Sequence, residues 1–553
     1  MADKKFNALL FDTRSIQKYI YSGNLLRTNI GASYIVDRIF FDILVGTLQE
    51  IYPNENFSSA QNTAWDSSQD KMAAWENMKS CCVAYIGGGN ALILFESSQE
   101  DERREVVKNF SLKLLATRPG LKIGVAFGEL NIVNGELNQA DISALYSELK
   151  KNQNNIFPAV NVPYSGLTLS CEINGETANF CDTRGIVKPG NEIRFYSMET
   201  AVKAKFSDAA NKNLKERFNK IFEVKNCAVR MDNFEFPFKV DELGQKDGEN
   251  YFAIIHVDGN NMGVKFRDCK NLTDRRRLSR EIRRKTESAF ADLLLKIISA
   301  KNDGLFNDIL NLKKESLPIR PLILGGDDVT FICPANMAIL FTKTLMESLN
   351  AETPKNSPEH LTQDAARKMD CCAGIAILPT AYPFFRGYEL AEQLCDSAKE
   401  SMRSEKNPSS WLDFAILHGE QAPTLEQIRE REYTGARGNL HFGAYQVGTD
   451  KKSRYDVENL LSCTSQFFYV MSHGKIKELR GILQRGKSET EKFLQQLELQ
   501  KQKLPVVPAW ENFITDALWS AGKEPRTPYV DAIELMDFYS PEVAEKWQNL
   551  TLK

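Results

Sequence analysis

The sequence predicts an α+β protein whose core consists of two similar domains, each with an antiparallel sheet and helices on one face. The first observation behind this prediction is an internal repeat, in which strand, helix, glycine-turn hairpin, helix and strand occur twice. Asp12 aligns with Asp258, and Gly87-Gly88-Gly89-Asn90 aligns with Gly325-Gly326-Asp327-Asp328. The second observation is that residues 123–126 correspond to residues 373–376. Two copies of such a unit imply two α+β domains.

Length and composition agree with several globular domains. A chain of 553 residues is too long for one ordinary domain, and a content of 42% hydrophobic and 26% charged residues is typical of a globular protein. The net charge of -3 gives no overall signal for nucleic acid. No apolar run approaches the roughly 20 residues that span a membrane, and the first residues lack the apolar core of a signal peptide. We therefore expect a cytoplasmic protein without membrane contact.

The cysteines and histidines do not predict a zinc site. The 11 cysteines include no Cys-x-x-Cys pair, and the five histidines are scattered. Cys81-Cys82 and Cys371-Cys372 lie inside apolar, strand-like runs, where cysteine usually behaves as a small buried hydrophobe. In a reducing cytoplasm we expect free thiols.

Four domains are predicted: residues 1–150, a small middle domain at 151–238, the second copy at 239–420 and a helical domain at 421–553. Predicted strands and hairpins cover residues 6–12, 82–95, 121–128, 251–258, 322–332, 371–378 and 411–417. Predicted helices cover residues 15–21, 25–49, 100–117, 200–221, 274–298, 336–350 and 388–399. Residues 54–77 are predicted to form a polar surface excursion, and residues 150–155 a polar linker.

The most informative stretch is the second glycine-turn hairpin. Adjacent carboxylates at Asp327 and Asp328 repel each other unless a cation lies between them. If the strands of this hairpin lie next to the strand that ends in Asp258, the carboxylates of Asp258, Asp327 and Asp328 converge. Oxygen ligands of this kind suit Mg²⁺ or Mn²⁺. Two such metals could activate a hydroxyl and neutralise pyrophosphate, while Lys399 could meet a triphosphate. The alternatives are a solvated Asp-Gly turn and a solvated helix end at Lys399.

These motifs resemble those of palm nucleotidyltransferases, including the GGDEF diguanylate cyclases. A closer resemblance is to the large, palm-bearing subunit of type III CRISPR effector complexes of the Csm/Cmr type. Its Gly-Gly-Asp-Asp hairpin is matched at residues 325–328, and its Asp-Gly-Asp-Asn-Met-Gly motif is similar to Asp258-Gly-Asn-Asn-Met-Gly263. Its degenerate first palm is matched by Asp12-Thr-Arg-Ser-Ile-Gln17, Gly31-Ala-Ser33 and Gly87-Gly-Gly-Asn90. The resemblance extends in order from residue 1 to about residue 447.

The resemblance implies two facing, ferredoxin-like palm domains that make cyclic oligoadenylate from ATP and release pyrophosphate. The 3′-hydroxyl of one nucleotide would attack the α-phosphate of the other at a two-metal site. The implied partners are ATP, a guide RNA–target RNA complex and other type III effector subunits. The implied metal ligands and catalytic residues are Asp258, Asp327 and Asp328. The implied nucleotide-contacting residues are Gly259, Asn260, Gly325, Gly326 and Lys399, with Ser33, Gly88 and Gly89 near the second nucleotide.

The sequence departs from the family pattern in three places. No His-Asp pair occurs, so the HD nuclease of many members, and its cleavage of single-stranded DNA, is not expected. Asn260 replaces a common aspartate, which weakens one metal contact. Cys171-Glu-Ile-Asn-Gly is similar to a zinc ribbon that has lost its second cysteine.

A basic helix carries seven Lys or Arg residues at positions 275–285. A solvated helix face is the expected explanation, and an RNA or protein contact is the alternative. Trp411 and Phe414 are expected in the core rather than as base-stacking platforms.

Two other functions remain open from the sequence. One is a non-catalytic scaffold whose palms hold nucleotide without turnover, although such a site need not tolerate the repulsion between Asp327 and Asp328. The other is a stand-alone diguanylate-type cyclase, although the two palms of this chain are not identical.

Overall fold

The computed structural model describes residues 4–57, 65, 75, 78–96, 100–154, 166–190, 192–246, 248, 250–419, 423–448 and 453–550. Most of the predicted surface excursion at 54–77 lies outside these residues. Among the described residues, no helix combines the length and the apolar character needed to cross a membrane.

The first domain is a sheet with strand order β2-β3-β1-β4-β5. Its strands are β1 (Lys4–Arg14), β2 (Cys81–Gly87), β3 (Asn90–Glu96), β4 (Lys122–Val133) and β5 (Glu136–Leu137). Its helices are α1 (Ile16–Tyr21), α2 (Leu26–Ile39), α3 (Val45–Ile51), α4 (Glu100–Thr117) and α5 (Gln139–Asn154), and a π-helical segment, Phe40–Leu44, joins α2 to α3.

The predicted linker at 150–155 is wrong for its described part, because residues 150–154 form the last turn of α5. Polar side chains of this turn bond back to the first sheet. Asn152 donates a hydrogen bond to the Val125 carbonyl at 3.0 Å, and Gln153 donates one to the Asp12 carboxylate at 2.6 Å. The polar composition suggested a linker in solvent. In the structure these polar groups form their hydrogen bonds with strands of the first sheet instead.

The middle domain consists of a two-stranded sheet and one long helix. These are β6 (Phe180–Asp182), β7 (Arg194–Tyr196) and α6 (Met198–Val224). After the segment similar to a zinc ribbon, Asp182 accepts hydrogen bonds from the backbone amides of residues 184, 186 and 187, so a carboxylate organises the loop that follows β6. Helix α6 crosses α2 so closely that a Cβ on Gly31 would lie 1.7 Å from the Lys203 carbonyl oxygen, which explains the glycine of the Gly-Ala-Ser segment.

The second copy of the repeat forms a six-stranded sheet with the order β13-β12-β11-β8-β10-β9. Its strands are β8 (Tyr251–Gly259), β9 (Arg320–Gly325), β10 (Asp328–Pro334), β11 (Cys371–Pro379), β12 (Ser410–Ile416) and β13 (Tyr445–Val447). Its helices are α7 (Met262–Arg267), α8 (Leu272–Asn302), α9 (Ala338–Asn350), α10 (Asp364–Arg367) and α11 (Phe384–Ser404).

The α+β class predicted from the sequence is confirmed, with one difference in the second sheet. Strands β11 and β12 are parallel, because α11 connects them as a crossover helix, whereas the other strand pairs of this sheet are antiparallel. Trp411 and Phe414 on β12 are buried, as expected for core residues.

The structure supports the repeat but corrects part of its alignment. On β1, Asp12 pairs with Asn90. On β8, Val257 pairs with Val329, so that Asp258 lies opposite Asp328 in the same way. On the other side, however, Asp12 pairs with Gly124, whereas Asp258 pairs with Cys372. Residues 123–126 therefore correspond to 371–374, two residues earlier than predicted. A shift of two keeps every side chain on the same face, so strand periodicity cannot detect it.

The described part of residues 421–553 is mainly helical, as predicted, although it also contains β13 of the second sheet. The helices are α12 (Leu425–Glu432), α13 (Val457–Val470), α14 (His473–Arg485), α15 (Lys487–Leu499), α16 (Tyr529–Leu535) and α17 (Pro541–Asn549). A buried polar group joins this region to β12. His441 lies 3.2 Å from the Asp413 carboxylate and 3.0 Å from the Asp531 carboxylate, and these two charges raise the pKa of His441 to about 9 despite its burial.

Candidate functional site

The two glycine hairpins have different turn geometries. In the first hairpin both central residues, Gly88 and Gly89, have positive φ, as a type I′ turn requires. In the second, of the central residues Gly326 and Asp327, only Gly326 has positive φ, as in a type II′ turn. The second turn therefore accepts an aspartate at its second central position without backbone strain.

The three predicted carboxylates lie together at the end of the second sheet. Gly259 packs so closely on the turn that a Cβ there would lie 2.8 Å from the Cβ of Asp327. Burial, and after it the charge of Asp258, raises the pKa of Asp327 to about 7 and that of Asp328 to about 8. The site thus holds its carboxylates in an environment that disfavours their charge.

Asp328 has few polar partners inside the protein. Its side chain is 29% exposed, and its Oδ1 is buried without a hydrogen bond. Nδ1 of His256 lies 3.4 Å from this oxygen. Because burial lowers the pKa of His256, that ring is neutral near pH 7 and does not balance the carboxylate charge.

Lys399 reaches the site as an ion-pair partner of Asp258. Its Nζ lies 2.7 Å from Asp258 Oδ2 and 3.3 Å from Asp396 Oδ1. The pKa of Lys399 is raised although burial opposes this, because Cys395, Asp258 and Asp396 surround the ammonium group. Helix α11 therefore places a permanent positive charge beside the carboxylates.

A cavity of about 290 Å³ lies between the two palm-like domains. Both hairpins form its wall, and Ser33 of α2 bridges the domains by donating a hydrogen bond to the Leu322 carbonyl of β9. The two domains also meet through Tyr21 of α1, whose ring stacks on Tyr388 of α11 with centroids 4.2 Å apart. The predicted residues that line the cavity are Ser33, Gly88, Gly89, Gly325, Gly326, Asp327 and Asp328.

Four predicted residues lie beside this cavity without lining it: Asp258, Gly259, Asn260 and Lys399. The side chain of Asn260 is buried, and its amide lies 3.2 Å from the sulfur of Met402 and 3.4 Å from the Ser409 carbonyl. Asn260 thus contacts the protein interior rather than the three carboxylates.

The expectation that the basic residues of α8 form a solvated helix face is not met. Within α8, Arg276, Arg284 and Lys285 are each less than 5% exposed, so a solvated face is wrong. Arg276, Arg280 and Arg283 line the cavity between the domains. The spacing i, i+4, i+7 places these three on one helix face, which was visible in the sequence, but a charge pattern alone does not show what that face contacts.

The first domain lacks the carboxylate pair of the second. Asn90 stands where the second domain has Asp328, and the Asp12 carboxylate accepts the hydrogen bond from Gln153. Burial raises the pKa of Asp12, which further disfavours its charge. The first hairpin is therefore a neutral, glycine-built surface.

The second hairpin fits a hard divalent cation. Asp258, Asp327 and Asp328 supply only oxygen ligands, and the buried Oδ1 of Asp328 lacks a hydrogen-bond partner. In the described part of the chain, no three acidic, histidine or cysteine side chains already stand at metal-ligand spacing. The three carboxylates would therefore have to draw together around a cation.

Comparisons with known proteins agree with this geometry. Residues 251–408 match the family model described as Cas10/Cmr2, second palm domain. No curated protein matches the chain.

Among solved structures, similar chains occur in crystal structures of the Csm1-Csm4 cassette in complex with cA4, with cA3 and with one ATP. The TM-score is 0.50 for each, at 10%, 11% and 11% identity, and the match covers 97% of this chain and 70% of the other. At this identity the likeness concerns the fold. The resemblance predicted from the motifs is confirmed: the chain is Cas10-like in fold, and its residues 251–408 match the second palm domain of the Cas10/Cmr2 family.

Proposed function

We propose that the chain is a metal-dependent nucleotidyltransferase that converts ATP into cyclic oligoadenylate. It acts as the large subunit of an RNA-guided type III effector complex, together with other effector subunits and a guide RNA–target RNA pair. The observation that supports this proposal is the shared cavity, whose wall combines Asp327 and Asp328 on one hairpin with Gly88 and Gly89 on the other. One hairpin supplies the chemistry and the other supplies a seat for a second nucleotide.

In the proposed reaction, the 3′-oxygen of one nucleotide forms a bond to the α-phosphorus of the other. The bond from that phosphorus to the bridging oxygen breaks, pyrophosphate leaves, and the hydroxyl proton is released. Asp258, Asp327 and Asp328 would hold Mg²⁺ or Mn²⁺, which activates the hydroxyl and neutralises the leaving pyrophosphate. Gly326 leaves room for a phosphate, since its φ is positive and nothing lies within 4 Å of a Cβ built there.

The test is product analysis with the assembled complex. The chain, its partner subunits and the guide RNA–target RNA pair are incubated with Mg²⁺ or Mn²⁺ and ATP, and products are identified by mass spectrometry. We expect cyclic oligoadenylate with the native chain and none with D327A/D328A. The matched control is D303A/D308A, which removes two exposed aspartates of the same domain.

Three outcomes would contradict the proposal. Bound ATP without any oligonucleotide product would indicate the non-catalytic scaffold. A product made only from GTP would indicate a diguanylate-type cyclase. Unchanged synthesis by D327A/D328A would show that the chemistry lies elsewhere.

A further inference from the structure

The middle domain contains a cluster of four polar side chains where two turns of the chain meet. The first turn carries Cys171 and Asn174, and the second carries Ser197 and Thr200 at the start of α6. Two residues separate the members of each pair, which is the ligand spacing of zinc ribbons and related structural zinc sites. The first turn belongs to the segment that is similar to a zinc ribbon, so zinc is the group that this part of the fold implies.

The four side chains are close enough to surround a single ion. The Cys171 sulfur lies 3.6 Å from Oγ1 of Thr200, which lies 2.9 Å from Oγ of Ser197. Oγ of Ser197 in turn lies 3.1 Å from Oδ1 of Asn174. In a tetrahedral site with Zn–S distances of about 2.3 Å, neighbouring sulfur atoms are about 3.8 Å apart. The two turns therefore approach each other as closely as the two ligand pairs of such a site.

The surroundings of Cys171 favour a thiolate. Its side chain is 1% exposed, and burial alone would raise the pKa of the thiol. Hydrogen bonds from the backbone amides of residues 197, 174 and 173 nevertheless lower that pKa below its usual value. Because metals bind thiolates rather than thiols, Cys171 has the environment of a zinc ligand.

The other three side chains of the cluster do not fit zinc. They offer neutral amide and hydroxyl oxygens, whereas structural zinc sites use thiolates and imidazoles. The carboxylates of the two turns are already paired, since Glu199 lies 2.5 Å from Nζ of Lys203 and Glu172 lies 2.7 Å from Nζ of Lys188. In the ranges that the structure describes, no three acidic, histidine or cysteine side chains stand at metal-ligand spacing.

Hydrogen bonds supply the links between the turns instead. The Ser197 hydroxyl donates to the Asn174 amide oxygen, and it accepts a hydrogen bond from the Thr200 backbone amide at 3.2 Å. Ser197 thus joins the turns and caps α6 at the same time. A second link lies next to it, where the Met198 backbone amide donates to Oδ1 of Asn179 at 2.7 Å.

The cluster connects two contacts between the middle domain and the first domain. Ile173 lies inside the first turn, and a Cβ on Gly23 would lie 2.8 Å from its side chain, so this turn packs on the chain between α1 and α2. Helix α6 begins at the second turn and crosses α2 at Gly31. A link between the turns therefore keeps both contacts in register.

We infer that Cys171, Asn174, Ser197 and Thr200 occupy the four ligand positions of a zinc ribbon, and that hydrogen bonds replace the metal in this chain. The middle domain is therefore independent of zinc. Cysteines at the three oxygen positions would convert the cluster into a tetrathiolate zinc site, with Cys171 as the fourth ligand.

The first test measures metal binding by the purified full chain. All variants carry C181S, because Cys181 is exposed in the same domain and would compete for metal. In equilibrium dialysis, N174C/S197C/T200C is expected to bind one zinc ion more per chain than C181S alone, with an affinity at least about 1,000-fold higher. With Co²⁺ it should show the absorption of a tetrahedral tetrathiolate site.

The matched control keeps the three new cysteines and removes the native one. C171S/N174C/S197C/T200C should bind zinc at least about tenfold more weakly, and its Co²⁺ absorption should shift to that of three thiolates. Such a shift is not expected if the new cysteines bind metal on their own.

The second test measures whether hydrogen bonds hold the native cluster. Hydrogen exchange in the middle domain of the C181S chain should be the same in EDTA and in zinc, whereas N174C/S197C/T200C should be protected only in zinc. S197A should speed exchange of the residue 176 and 178 amides by about tenfold, as for the loss of one or two hydrogen bonds. Loss of the helix cap alone would not reach these amides, because they lie in the other turn.

Four results would overturn the inference. Loss of protection of the C181S chain in EDTA, with recovery in zinc, would show that a metal already holds the cluster. A triple-cysteine variant that binds no additional zinc or fails to fold in zinc would show that the positions do not form one site. A zinc affinity unaffected by C171S would exclude Cys171 as a ligand, and unchanged exchange in S197A would exclude the hydrogen-bond link. No nucleotide is present, so these results are independent of the proposed function.

Discussion

Replacing Asp328 by asparagine should stabilise the second sheet in the absence of a divalent cation. Burial and the charge of Asp258 raise the pKa of Asp328 from 3.8 to about 8. Folding thus favours the protonated carboxyl of Asp328. The stability of the native chain is therefore undiminished below pH 3.8 and decreases as the pH rises towards 8. Above pH 8, the Asp328 carboxylate of the folded chain is charged, although burial and the charge of Asp258 disfavour this.

The size of the effect follows from the pKa difference. About four pH units at about 1.4 kcal/mol each give a ceiling of about 6 kcal/mol above pH 8. Because the side chain is 29% exposed, solvent and small structural adjustments reduce this value, and we expect a gain of about 2–3 kcal/mol for D328N at pH 9. At pH 5 the gain should be about 1 kcal/mol or less, since the folded carboxyl is then protonated.

Hydrogen exchange is the suitable assay, because a chain of several domains does not unfold in one step. The readout is the protection of the β8 and β10 amides around the pair Val257–Val329, compared between native chain and D328N at the same pH in EDTA. Adding Mn²⁺ should raise protection in the native chain and much less in D327N/D328N. The control D303N changes an exposed aspartate.

The reasoning is refuted if D328N shows equal or lower protection than the native chain at pH 9. It is also refuted if Mn²⁺ protects D327N/D328N as strongly as the native chain. In either case the buried carboxylates would be stabilised by partners other than a cation.

Two further predictions concern stability. G31A should destabilise the first domain by several kcal/mol in thermal unfolding, because the new Cβ would lie 1.7 Å from a carbonyl oxygen of α6. The control G46A should be neutral or stabilising by up to about 1 kcal/mol, since nothing lies within 4 Å of a Cβ at that position in α3. Equal effects of the two substitutions would contradict the argument that Gly31 permits the crossing of α2 and α6. Because the folded pKa of His441 is raised from 6.5 to about 9, its stabilisation is fully present below pH 6.5 and is lost as the pH rises to 9, by up to about 3 kcal/mol. Hydrogen exchange of the β12 amides should show this pH dependence in the native chain but not in H441Q, and a pH dependence that persists in H441Q would assign it to another group.

The sequence was sufficient for the features that depend on local pattern. Apolar runs of strand length around two glycine turns located both hairpins, and the repeated aspartate located the strands beside them. The carboxylates could be predicted to converge because neighbouring strands fix their distance. The register between β1 and β4 could not be predicted, because an even shift leaves the pattern of buried side chains unchanged.

The arginines of α8 show where sequence patterns stop being informative. A run of seven basic residues usually lies in solvent, because burial of a charge is costly without a partner. Here the partners come from distant parts of the chain: Asp37 of α2 and Glu287 of α8 hold Arg283, and Arg217 of α6 shares them. Such contacts join three domains, so no local window contains the information. Lys399 is a similar case, since its partner Asp258 lies on a distant strand.

The two hairpins differ in backbone geometry as well as in side chains, which agrees with the different functions proposed for them. Gly89 has a φ of +78°, and a Cβ there would lie 2.7 Å from Cδ1 of Ile16, so an aspartate at this position would be strained and crowded. Copying the second motif into the first hairpin as G89D/N90D should therefore not create a second metal site. We expect this variant to bind no more Mn²⁺ than the native chain in equilibrium dialysis. An additional bound Mn²⁺ would show that the side chains alone, and not the turn geometry, determine which hairpin can bind a metal.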